Sequence, residues 1–223
     1  MATTMPSPAV AIAAQENTQR TRRLLTGGVA AGPVFLGVTG VQLLTRDGFD
    51  LSRMPLSLLA LGDWGWIQIT NFVLTGLLVL TGAAGLRRAL RRQRAGHWGA
   101  GLIGVAGIGM IVAGVMISDP SMGWPVGAPQ GAPETMSWHA IGHGVGAMLT
   151  FGSLAVAAVI FARRFAGLRR PGWVALSVLP VVATGVVVAW PNLETLSIAM
   201  AAGALVIFGW LSALTARIRS ETI

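Results

Sequence analysis

The chain has 223 residues, 53% of them hydrophobic and only 11% charged, and its mean hydropathy is +0.68. Soluble domains carry about 25% charged residues, so this chain cannot cover itself with polar surface and lipid is its natural solvent; a soluble nucleic-acid-binding domain is excluded despite the net charge of +8. All sixteen basic residues are arginine, set in short clusters between apolar runs, and cysteine is absent, which removes disulfides and thiolate metal sites.

Residues 1–19 (MATTMPSPAVAIAAQENTQ) are small, polar and proline-containing. Their one apolar run, 9–14, is too short for a signal-peptide core and has no basic segment before it. They read as a disordered cytoplasmic tail. Crossing a hydrocarbon layer of about 30 Å takes about 20 helical residues. Six stretches qualify: 24–44, 64–86, 98–117, 138–161, 173–190 and 196–214. Four begin at a tryptophan, a residue that favours the headgroup layer. The expected fold is all-α: a single domain over 20–219, an integral membrane bundle of six transmembrane helices, with a short tail at 220–223.

Four arginine clusters lie before span 1, between spans 2 and 3, between spans 4 and 5, and after span 6. With six spans all four fall on one side, fourteen of sixteen arginines, leaving only Arg46 and Arg53 opposite. The positive-inside rule then places both termini in the cytoplasm, with the plasma membrane as the expected membrane. Six of the eight acids (Asp47, Asp50, Asp63, Asp119, Glu134 and Glu194) fall on the outer side.

Small residues four apart allow close helix approach, as at Gly28/Gly32 and Gly142/Gly146. The glycine-dense span 3 reads as central and tightly packed. Pro33 and Pro180 are expected to kink spans 1 and 5. Outer loop 1 (45–63) holds an apolar run, 54–61, expected to lie in the membrane interface, and Asp63 is placed to cap span 2. Loop 2 (118–137) is rich in Pro and Gly, hence irregular but fixed, and loop 3 (191–195) is a tight turn.

The stretch 118–146 is the part of the chain that looks chemical. His139 and His143 share one helix face a turn apart, and Asp119 begins the loop that a 3–4 hairpin folds toward them. Three readings stand for this group. Asp119, His139 and His143 can form a three-ligand Zn²⁺ set with an open position for water, Glu134 or Asp50 then acting as base, because the Glu of an HExxH motif is missing. The cluster can instead bind a polar headgroup or relay protons, or the two histidines can brace loop 2. A haem is not expected, since His139 and His143 on one helix turn cannot reach opposite faces of the macrocycle. On span 2, Gln68, Asn71 and Thr75 form one polar stripe that either bonds to a neighbouring helix or lines the same outer cavity; Gln42 lies at similar depth. Asp50 and Ser57 from loop 1 complete the candidate ligand site.

Gly48-Phe49-Asp50, Ser57-Leu58-Leu59, Gly65-Trp66-Ile67-Gln68 with Asn71-Phe72, Asp119-Pro120 with Gly123, Pro125 and Gly127, and Ser137-Trp138-His139 with His143 occur in an order that resembles the prokaryotic membrane family catalogued as domain of unknown function 998, DUF998. The resemblance runs over about residues 20–215 and implies six spans but no established activity. The family often has Tyr where this chain has Phe49, so no phenol acts there. The His-x3-His spacing is also similar to that of seven-helix metal-dependent lipid amidases. The functional expectation is a multi-pass membrane protein with a ligand or lipid site at the outer face, with no cofactor assigned beyond the Zn²⁺ reading above, and partnered by membrane lipids, not nucleic acid. The alternatives are a metal-dependent hydrolase of lipid amides or esters, and a membrane scaffold.

Overall fold

Six helices follow one another as the hydropathy requires, in a computed structural model that describes residues 8–192 and 195–222. They are α1 (Pro8–Thr45), α2 (Gly65–Ala89), α3 (Ala100–Val115), α4 (Trp138–Gly167), α5 (Pro171–Val188) and α6 (Leu196–Glu221). All six are long and apolar enough to cross a membrane. A π-helical turn, Ala95–Gly99, leads into α3 and lengthens that span to 21 residues. The chain is therefore a multi-pass membrane protein. Pro33 and Pro180 sit inside unbroken helices.

The tail expected to be disordered is instead helical from Pro8 onward, its first seven residues lying outside the described ones. The segment 9–23 is built mainly of Ala, Gln, Glu and Arg, which are good helix formers, so α1 continues past the apolar run toward the membrane surface. At the other end of the chain α6 runs through Glu221, into the stretch read as a tail.

Each helix packs on its chain neighbours, and α6 closes back against α1, giving a ring in chain order. The glycine-dense α3 is tightly packed, as expected, but it is not central; it is the ring member between α2 and α4. A Cβ at Gly76 would lie 2.7 Å from the Gly107 carbonyl oxygen, and one at Gly146 would lie 2.6 Å from the Ala113 nitrogen. Only glycine permits such backbone approach, and close packing stands in here for the hydrophobic drive that lipid does not supply. Gly28 and Gly32 serve the same purpose against Thr215 and Phe208 of α6. Phe35, Phe72, Phe161, Phe208 and Trp210 fill the ring interior.

One end of the ring gathers both described chain ends and the arginine clusters; we term it the basic end. There Glu221 pairs with Arg217 at 2.9 Å and with Arg164 at 3.7 Å, and Arg22 donates to the Thr222 carbonyl. The opposite end is roofed by loops 1 and 2. The apolar run of loop 1 does not lie flat on a membrane surface: Leu56–Ala60 forms a 3-10 turn whose Leu58, Leu59 and Ala60 are buried. Met54, Leu58 and Leu61 pack with Trp124 of loop 2 in a small second core. Arg46 staples the two loops. Its guanidinium donates to the carbonyls of Leu59 and Leu61 and lies 5.2 Å from the Trp124 ring centroid. Asp63 makes no cap bond; Trp64 is the N-cap residue of α2, and it makes no side-chain cap bond. Glu194 and the centre of loop 3 lie outside the described residues.

Candidate functional site

An α-helix leaves its last four carbonyls without partners, and the two histidines of α4 answer that need in α3. His143 Nδ1 lies 2.7 Å from the Ala113 oxygen and 3.0 Å from the Met116 oxygen. Carbonyls only accept, so Nδ1 carries the proton, and in the neutral ring Nε2 is left as a lone-pair acceptor. His139 Nδ1 lies 3.1 Å from the Ile117 oxygen, just beyond the end of α3, and 2.8 Å from Ser137 Oγ.

Ser137 is the hub of this corner. Its Oγ–H donates to Asp119 Oδ1 at 2.5 Å, its backbone N–H donates to Asp119 Oδ2 at 2.8 Å, and its Oγ accepts from the Ala140 N–H, capping α4. Those two donations hold the Asp119 carboxyl below the usual carboxylate range, with the His139 ring, 3.8 Å away, a smaller contribution in the same direction. The ring of His139 is partly open to the outside.

The seven candidate ligand residues fall into separate places. Asp119 and His139 meet at the α3–α4 corner. Gln68 and Asn71, 0% and 2% exposed, belong to an α1–α2 network. Gln42 donates to Gln68 Oε1 at 2.7 Å, and Asn71 Nδ2 reaches the Phe35 oxygen and Thr39 Oγ1 at 3.1 and 3.2 Å. Gln68 and Asn71 join helices, and these two and Thr75 are not among the residues lining the space beside His143. Asp50 lies in an exposed turn, accepting from the N–H and Oγ–H of Ser52, which lower its pKa. Only Ser57 and His143 face one space. As a metal set, Asp119, His139 and His143 do not converge, because Asp119 is turned to Ser137 and His143 to α3. Among the described residues no group of three His, Asp or Glu is arranged to hold a metal ion.

The space shared by Ser57 and His143 is a cavity of about 60 Å³ beneath the roof, walled by Pro55, Leu56, Phe35 and Phe72. That is room for a few water-sized groups. It adjoins a groove of about 270 Å³ between α4, α5 and α6, lined by Met148, Gly152, Val187, Val188, Gly203 and Ile207 among others. Ala147, Phe151, Met200 and Ala204 line both spaces. Glycine has a second use here. A Cβ at Gly152 would meet nothing within 4 Å, and one at Gly203 only Val187 at 3.3 Å. These glycines leave space instead of drawing backbones together. Ser57 Oγ has no hydrogen-bond partner among the described residues.

Ser137, Arg46 and the groove residues Phe151 and Met200 escape a search for ionisable clusters. A serine directly before a long apolar run is an N-cap signal, and Arg46 stands out as a basic residue at the acidic end; these signals could have found the first two. The model of the family described as protein of unknown function, DUF998, matches residues 29–217. No curated protein and no solved structure matches the chain.

Proposed function

Starting from the fact that this chain belongs to the DUF998 family, whose description assigns no activity, we propose that it binds a lipid laterally, with the chain in the α4–α5–α6 groove and the polar end toward His143 and Ser57. The observation that carries this reading is that the two spaces adjoin, sharing Ala147, Phe151, Met200 and Ala204 in their linings. The groove is apolar and opens to the side, where acyl chains are the solvent, while the roof covers the aqueous end. The adjoining cavity is lined by His143, whose Nε2 is left as an acceptor, and by Ser57, whose hydroxyl is free. A hydroxyl-bearing polar group donates to the first and accepts from the second. Asp119, Ser137 and His139 hold the α3–α4 corner that positions His143. In this reading the roofed end faces outward from the plasma membrane, with the basic end in the cytoplasm, as the arginine distribution supports. The metal-dependent hydrolase reading has no converged ligand set among the described residues to support it.

The test fills the groove without disturbing the core. Gly152→Leu adds a side chain where a Cβ meets nothing within 4 Å. We expect the purified variant to keep the wild-type helical content and to lose lipid that the wild type retains, as read by native mass spectrometry in mild detergent. Equal lipid retention by both proteins contradicts the proposal.

A further inference from the structure

The basic end carries a cleft that the lateral groove does not involve. It lies between the ends of α1 and α2, has a volume of about 890 Å³, and is lined by Arg20, Arg87, Arg88 and Arg91 above Leu24 and Ala84. Just below it the helices touch: a Cβ at Gly85 would lie 2.8 Å from the Leu25 nitrogen. The cleft is thus closed underneath, cationic at its rim and apolar at its base. Among the described residues none of the four arginines has a carboxylate partner; the pairs at this end are Glu221 with Arg164 and with Arg217. Arg88 is held by the Asn17 side chain, which fixes one guanidinium without neutralising it.

A second basic cleft lies beside Trp98. Arg164 there is engaged by Gln93 at 2.9 Å and by Glu221. The basic end therefore has one cleft whose charge is partly met within the chain and one whose charge is not.

We propose that the α1–α2 cleft binds the phosphate of an anionic phospholipid from the leaflet at the basic end. Guanidinium forks match phosphate oxygens in bidentate geometry. Clustered arginines next to a span attract anionic headgroups, and basic clefts between spans hold them. The base formed by Leu24 and Ala84 suits the glycerol and first methylenes of a lipid, which free phosphate lacks. This lipid is distinct from the one in the α4–α5–α6 groove, and its binding stands or falls separately.

The experiment uses the full chain in detergent, with binding followed by native mass spectrometry and by melting temperature. The probes are phosphatidylglycerol, phosphatidylcholine and inorganic phosphate. Phosphatidylglycerol should bind and raise the melting temperature, and phosphatidylcholine should not. Arg87→Gln/Arg91→Gln leaves the Arg88–Asn17 contact intact and should weaken phosphatidylglycerol binding roughly 10- to 30-fold. Arg163→Gln/Arg170→Gln removes the same charge from the other basic loop and should weaken it less than threefold or so, the residual being long-range attraction. Ala84→Trp keeps every arginine but fills the base of the cleft, and should also lower binding. Equal weakening by the two double variants reduces the effect to bulk charge and overturns the site. Equal stabilisation by inorganic phosphate, with displacement of the lipid, overturns the lipid as ligand. Binding of phosphatidylcholine as tight as that of phosphatidylglycerol overturns the role of the arginines.

Discussion

Helices α3 and α5 cross the same membrane with similar apolar composition, yet they are held very differently. Half of the α3 span is buried inside the protein, against 11% of α5. Gly107 and Gly109 of α3 put backbone against backbone, whereas added Cβ atoms at Gly172 and Gly185 of α5 would meet nothing within 4 Å. Hydropathy alone does not separate the two; what separates them is whether small residues face a partner helix. The tightly held side forms the scaffold, and the loosely held α5 forms the wall of the groove.

Substitutions at glycine should break this contrast most sharply. Gly146→Val forces α4 off the Ala113 and Gly109 backbone, and we expect a loss of about 1–3 kcal/mol or more from overpacking, measured by thermal or denaturant unfolding in detergent. Gly185→Val should change stability by less than about 0.5 kcal/mol. Next in size is the α1–α2 network. Asn71→Leu removes the donor to the Phe35 oxygen and Thr39 Oγ1, and should cost about 0.6–2 kcal/mol by the same measurement, with no loss of retained groove lipid. A loss of lipid would show that the network does more than join helices.

The α3–α4 corner should respond more modestly. Ser137→Ala removes the cap on α4 and one donor to Asp119, at an expected cost of about 0.5–2 kcal/mol. The corner also has a pH signature. The pKa of Asp119 is depressed by its bonds to Ser137, so its contribution is fully present above the unfolded value of about 3.9 and is lost as pH falls through the lower folded value. Melting temperature should therefore decline below about pH 4 in the wild type, and less steeply in Ser137→Ala. Identical acid profiles for the two proteins would remove Asp119 from the account of this corner.

How far the sequence discloses this molecule depends on what each feature needs. The six spans are legible because apolar length and flanking Trp and Arg are local properties, and the polar stripe Gln68–Asn71–Thr75 announces a helix contact by its spacing. The start of α1 is misread because helix propensity, not hydropathy, decides residues 8–19. The loop 1 turn is misread because nothing in 54–61 says that Trp124 and Arg46 will close over it. The histidine pair is visible, but its orientation is not: His143 turns inward because the last turn of α3 leaves carbonyls within its reach, a fact about two helices at once. The groove is the least legible feature, since Gly152 and Gly203 look like any packing glycines until their neighbours are known.

The central claim is the lateral lipid site, and mapping its occupant tests that claim most directly. Irradiation of the protein with a diazirine-bearing phospholipid in vesicles, followed by peptide mass spectrometry, should place adducts on Met148, Phe151, Val187 and Met200, which line the groove, and Gly152→Leu should abolish them while labelling of the outward lipid-facing surface persists. Adducts spread evenly over the outward faces of all six helices and unchanged by Gly152→Leu would contradict the account.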